Sequence, residues 1–166
     1  MPLDAIRIAT DADAALVADL LRRAFADQAE QLGVTAEEHP RHPAFRTPEL
    51  VAAEMADGFA FFVLDADGRP AGCVAIGTDA QHGGDGYLAR LGVLPECRGR
   101  GFGELLVGFA EAALRDRGAR RVRLGVLRPL APLQQWYRRQ GYVPVAADDP
   151  DAGLAHVVFM DKPLTD

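Results

Sequence analysis

The sequence predicts an α/β domain, helices packed on a mixed β-sheet, and three features carry that prediction. Segments with the two-residue alternation of strands and segments with helical periodicity follow one another in the order β-α-α-β-β-β-α-β-α-β-β, about seven strands and four helices. Two apolar runs, Phe59 to Leu64 and Ala71 to Ile76, flank the turn Asp65-Ala-Asp-Gly68, as in an antiparallel hairpin. A strand over Tyr87 to Leu94 leads through a glycine-rich turn directly into a helix. At 166 residues and 49% hydrophobic, the chain suits one domain with a real core, residues 1–166, and is short for two.

Each element has its own signal. Ile6 and Ile8 alternate as a short strand, and Thr10 or Asp11 can cap a helix carrying Leu16, Val17, Leu20, Leu21, Ala24 and Phe25. From Gln28 to Pro48 the pattern is irregular, broken by Gly33, Pro40, Pro43 and Pro48, and reads as a lid of loops before a second helix from about Thr47 to Met55. After His82-Gly-Gly-Asp-Gly86 and the strand Tyr87 to Leu94, Phe102, Leu105, Leu106, Phe109 and Ala113 mark a helix ending at Gly118. Val122, Leu124 and Val126 alternate as a strand. Pro132 opens a helix bearing Leu133, Trp136, Tyr137 and Gln140, which Gly141 closes. A last pair of strands is expected near Tyr142 to Val145 and Leu154 to Met160.

Composition removes several function classes. The net charge of −6 disfavours nucleic acid. The local cluster Arg115, Arg117, Arg120, Arg121 and Arg123 is explained by a helix C-terminus and by the solvent face of a strand. No window approaches the roughly 20 apolar residues of a membrane span, and no basic-then-apolar leader opens the chain, so a cytoplasmic protein is expected. Cys73 and Cys97 lack paired spacing and read as free thiols. His39 and His42 lack a third ligand at recognisable spacing, so no metal is expected.

The chemistry points to the turn Arg98-Gly-Arg-Gly-Phe-Gly103. A helix that starts straight after a strand exposes N–H groups that carry the positive end of the peptide dipoles. Glycines at 99, 101 and 103 remove side chains that would block phosphate oxygens, and Arg98 and Arg100 add positive charge. A few charge-assisted amide contacts, each about 1.5 to 3 kcal/mol, suffice to hold a diphosphate. A nucleotide P-loop would need Gly-Lys-Ser/Thr where the chain has Gly103-Glu-Leu105, and the third glycine of a dinucleotide fingerprint would fall on Glu104. For an isolated turn of this kind, close packing is the commoner explanation.

In context the sequence resembles the GCN5-related N-acetyltransferase superfamily. Arg98, Gly101 and Gly103 match its Gln/Arg-x-x-Gly-x-Gly/Ala signature, Leu91-Gly-Val-Leu-Pro-Glu96 its preceding strand end, and Trp136-Tyr-Arg-Arg-Gln-Gly-Tyr142 its late aromatic segment. The resemblance implies a mostly antiparallel twisted sheet that splays at its central strands. It implies acceptor-side helices and loops over about 11–57, an acetyl-coenzyme A core over about 87–118 and a C-terminal segment over about 120–163. Backbone groups at Leu91 and Val93 would hold the acetyl and pantetheine portions, and amides from Arg98 through Gly99, Arg100, Gly101, Phe102 and Gly103 to Glu104 the pyrophosphate. Gly92 is a natural place for the family's β-bulge. Tyr137 would be the general acid, against a packing role beside Trp136.

Other positions stay open. Tyr87 stands about where some members carry a basic carboxylate, which leaves Asp85, Glu30, Glu38, His39, His42 and His82 as loop candidates, although surface carboxylates are usually solvated and histidines beside prolines usually cap loops. Many members carry an asparagine where this chain has Leu130 between Pro129 and Pro132, so contacts near the pantetheine differ. The expected partner is a small-molecule amine; a protein N-terminus or lysine, and a CoA-binding domain without catalysis, are the alternatives. Homodimers are common in the superfamily.

Overall fold

The apolar runs Phe61 to Leu64 and Cys73 to Ile76 are continuous because both faces of their strands are covered. The computed structural model describes residues 5–79, 85–145 and 157–164. Its strands are β1 (Ile6–Ile8), β2 (Ala60–Ala66), β3 (Arg69–Asp79), β4 (Asp85–Val93), β5 (Arg121–Leu127), β6 (Val143–Pro144) and β7 (Val157–Pro163). Its helices are α1 (Ala14–Leu32), α2 (Pro48–Ala56), α3 (Phe102–Asp116) and α4 (Ala131–Arg139). On one face Phe62, Leu64, Val74 and Ile76 pack with Leu106, Val107 and Ala110 of α3. On the other, Phe61, Val63, Cys73 and Ala75 pack with Val17, Leu20 and Leu21 of α1 and Val51 of α2. Each of these large side chains, wholly buried, contributes roughly 1.5–3 kcal/mol.

Local chemistry sets the element ends. Thr10 and Asp13 form a capping box over a 3-10 turn, Asp11–Asp13, that leads into α1, and Gly33 ends α1 at φ 68°. Thr47 caps α2, its hydroxyl accepting from the Leu50 N–H at 3.2 Å, with Pro48 at the first helical position. Asp67 and Gly68 both take positive φ, 55° and 78°, the pattern of a type I′ hairpin turn. Cys73 and Cys97 are free thiols, and burial pushes the Cys73 thiol up to about 12. Among the described residues no helix is long and apolar enough to cross a membrane.

The strands form a seven-stranded sheet in the order β1-β2-β3-β4-β5-β7-β6, antiparallel except for β4 with β5. That parallel pairing joins only Gly86 with Val122 and Tyr87 with Arg123, so the two strands part beyond Tyr87, and this is the predicted splay. A bulge accompanies it. Cys73 faces Gly92 and Ala75 faces Ala89, so Val74 alone opposes both Arg90 and Leu91.

Two sequence expectations need correction. The bulge expected at Gly92 lies one step earlier, at Arg90 and Leu91, and Arg90 takes left-handed backbone at φ 55°. Gly92 serves a close approach instead: a Cβ there would lie 2.8 Å from Phe25 Cε2. Arg121 and Arg123 of β5 share one face, as expected, but only Arg121 is partly exposed there, and Arg123 lies directly across from Asp161 of β7. Arg123 is buried and bidentate to Asp161, at 2.7 and 2.8 Å, and Arg121 reaches the same carboxylate at 3.4 Å. The expected last pair of strands is present as β6 and β7, with β7 placed between β5 and β6; residues 154–156 of the expected last strand lie outside the described residues.

Candidate active site

The parting of β4 and β5 opens a cleft of about 1420 Å³ that runs from the glycine turn, past both strands, to the segment 38–43. At the turn the backbone carries the site. Gly101 caps α3 at φ 81° without a side-chain bond, and Gly99 sits at φ 79°. Among the described residues no partner is found for the N–H groups from Gly99 to Glu104, whereas the Arg98 N–H donates to the Pro95 carbonyl at 3.3 Å. A Cβ at Gly99 or Gly101 would meet no atom within 4 Å, so the space beside these amides is open. A row of exposed donors at a helix start, with room in front of it, fits a diphosphate. Gly103 is different, since a Cβ there would come 3.1 Å from Trp136 Cζ2.

The charged side chains of the turn are directed elsewhere. Arg98 ties the turn to α1, donating to both Asp27 carboxylate oxygens (2.6 and 3.4 Å) and to the Ala24 carbonyl (2.7 Å), and its Nε donates to the Val93 carbonyl (3.2 Å). The Asp27 carboxyl is held below its usual range, chiefly by the hydrogen bond from Arg98. Arg100 pairs with Asp67 at 3.1 Å and lies 4.7 Å over the Phe102 ring. Glu104 accepts from Trp136 Nε1 at 3.2 Å, joining α3 to α4. Leu91 and Val93 line the cleft. The Leu94 N–H points to β3, donating to the Ala71 carbonyl at 2.8 Å. By strand alternation the Val93 N–H points the other way, towards the splay, and Leu91 stands at the bulge just before it.

Tyr137 lines the cleft from α4, edge-on to Trp136 at 5.0 Å and to Tyr142 at 5.7 Å between ring centroids. Burial first, and the Tyr87 phenol second, hold its hydroxyl well above the ordinary tyrosine value, so at neutral pH it carries its proton. Behind it the Tyr142 hydroxyl donates to Glu111 Oε2 at 2.8 Å, and Lys162 Nζ donates to both oxygens of the same carboxylate.

The structure separates the base candidates. Glu38, His39 and His42 line the cleft with Tyr87; Glu30 and Asp85 do not, and His82 lies outside the described residues. Asp85 accepts from the Arg120 N–H and pairs with Arg121 at the far end of β4. His42 caps a 3-10 turn, Pro43–Phe45, in keeping with the loop-capping expectation: its Nδ1 accepts from the Ala44 N–H at 3.1 Å and its Nε2 lies 2.9 Å from Gln28 Oε1. With Nδ1 accepting, Nε2 must carry the proton, which leaves no lone pair to take one from a substrate. Burial, then the charges of His39 and Arg90, lower its pKa and favour this neutral form. Sequence reasoning missed Arg90 and the Gly125 to Leu127 wall of β5. Neither bears a motif; only the strand order brings them to the cleft.

No curated protein sequence gives a significant match to the chain. Among solved structures, the PaiA N-acetyltransferase of Thermoplasma acidophilum in complex with coenzyme A is similar at TM-score 0.77 and 18% identity, over 95% of this chain and 97% of that one. The ribosomal-protein-alanine N-acetyltransferase of Brucella melitensis gives TM-score 0.64 and 22% identity over 95% and 98%. A nourseothricin acetyltransferase gives TM-score 0.55 and 29% identity over 64% and 66%. The family model described as Acetyltransferase (GNAT) family matches residues 14–142, from the start of α1 through Tyr142. That span takes in both walls of the cleft and the turn at its end, and the chain belongs to the GNAT family as an N-acetyltransferase whose acyl donor is acetyl-coenzyme A.

Proposed function

We propose that the acceptor is the primary amine of a small molecule, acetylated by direct attack while both substrates are bound. The observation that carries this reading is the fastening of the segment 38–43 over the acceptor end of the cleft. His42 is bonded to Gln28 of α1, and the Arg41 carbonyl accepts from both Arg46 (2.7 Å) and Arg90 (3.3 Å). A pinned wall suits a compact acceptor better than an extended chain. The enzyme named for nourseothricin lends support as a partial relative.

In this reading the N–H groups from Gly99 to Glu104 bind the donor's diphosphate, and the backbone of Leu91 and Val93 orients the pantetheine and thioester. An N–H facing the splay there would stabilise the oxyanion that forms on the thioester carbonyl. The attacking nitrogen must be neutral, and deprotonating a lysine-like amine at pH 7 costs roughly 4 to 5 kcal/mol. Nitrogen bonds to the carbonyl carbon, the carbon–sulfur bond breaks, and the nitrogen proton leaves to water in the cleft. Tyr137 donates to the departing sulfur. Its raised pKa keeps the proton in place beforehand and makes it a hydrogen-bond donor late in the reaction, when sulfur carries the charge.

The test incubates the purified protein with acetyl-CoA and either small primary amines or peptides with free N-termini and lysines, following free thiol. Release with a small amine is expected. Release with peptides alone would overturn the acceptor reading, and CoA binding without release in either set would favour a non-catalytic CoA-binding domain.

A further inference from the structure

The charges beside the acceptor end of the cleft do not balance. Arg46, only 5% exposed, has Nη1 3.2 Å from Glu54 Oε1, and Arg90 has Nε 3.3 Å from Glu54 Oε2. One carboxylate therefore serves two guanidinium groups, and the buried Arg46 Nε has no hydrogen-bond partner among the described residues. Arg41 adds a third cation. Its carbonyl anchors both other arginines, it lines the cleft with Arg90, and its side chain is exposed with no carboxylate within 4.0 Å among the described residues. Burial first, then Arg90, lowers the Arg46 pKa against the opposing pull of Glu54, with Arg41 lowering it further.

Among the described residues neither of the other nearby carboxylates comes within 4.0 Å of these three guanidinium groups. Asp27 is taken by Arg98 at 2.6 Å, and Glu38 accepts from the Thr35 hydroxyl at 3.0 Å and stays exposed at the rim. A partly desolvated guanidinium pair that shares a single carboxylate, with a third arginine beside the cleft, draws anions and repels cations. A planar carboxylate matches the guanidinium fork better than a neutral amide does, because both of its oxygens accept.

We propose that the lobe formed by Arg41 and Arg90, with Arg46 behind them, recognises a carboxylate on the acceptor, so that the substrates are amino acids or similar amino-carboxylates. This inference rests on the small-molecule reading above and narrows it. Arg41 is the specificity-determining residue: it is exposed and holds no carboxylate among the described residues, whereas Arg90 and Arg46 are held by Glu54. Polyamines, which bring only positive charge, are selected against.

The experiment compares kcat/KM for each common L-amino acid and its carboxamide, together with a polyamine, in the wild-type protein and in Arg41→Gln and Arg41→Lys. Glutamine keeps the carbonyl that anchors Arg46 and Arg90, so the wall survives the substitution. For the preferred acceptor the acid should exceed its amide by about tenfold or more, the size of one charge-assisted contact. Arg41→Gln should bring the ratio close to unity, and Arg41→Lys should restore part of it. Equal or better turnover of amides or polyamines would overturn the carboxylate inference and leave the small-molecule reading standing. An acid preference unaffected by Arg41→Gln would overturn the role of Arg41. Transfer confined to peptides would overturn the underlying reading itself.

Discussion

Tyr137 sits where two demands on one side chain meet. Its ring packs edge-on between Trp136 and Tyr142, which a phenylalanine could do equally well, while the residue lines the cleft and its hydroxyl makes no hydrogen bond to any described residue. The two roles separate on substitution. Tyr137→Phe keeps the ring contacts and should leave the melting temperature unchanged, but should lower kcat by roughly 10²–10⁴, with KM for acetyl-CoA little altered. Unchanged kcat would make Tyr137 a packing residue only. At this scale the sequence showed the residue through its setting in Trp136 to Tyr142. It could not show that the Trp136 indole would cross to Glu104 of α3, or that His42 would use both ring nitrogens internally. Those contacts join segments that are neighbours only after folding.

The glycine turn is an element whose three glycines have two physical causes. Gly99 and Gly101 adopt φ of 79° and 81° with nothing within 4 Å of a would-be Cβ, while Gly103 makes room for Trp136. Gly101→Glu should therefore lose most CoA affinity, because its carboxylate would enter the open space in front of the amides. Part of any stability loss would be backbone strain of about 1–2 kcal/mol. Gly118→Ala is the matched control: φ is 91° there, at the C-terminal end of α3, so strain is comparable but the cleft is untouched. The control should lose stability and bind CoA as the wild type does. Equal losses of affinity in both variants would make the turn purely structural. The spacing of this turn was legible because it is local. The bulge was legible only to within a residue or two, because the need for glycine at 92 is set by Phe25 and Ala24 on α1, while Arg90 is held in left-handed backbone through Glu54 and the Arg41 carbonyl.

At the scale of the molecule, hydrophobic periodicity gave the strands and helices in their order along the chain, but periodicity carries no information on which strand lies beside which. The placing of β7 beside β5 sets Asp161 opposite Arg123, which is buried, while Arg121 on the same face stays partly exposed. The same strand order leaves β4 and β5 joined at one end only, and the cleft follows from that. The central claim is that coenzyme A lies in this parting with its diphosphate on the amides from Gly99 to Glu104. The most direct test is an amide NMR titration of the protein with CoA. The N–H signals of Gly99, Gly101, Gly103 and Glu104, with those of Leu91 and Val93, should shift together and saturate, while those of Gly33 and Gly118 stay in place. Saturating CoA that leaves the turn signals unmoved, or moves only signals outside the cleft, would contradict the account.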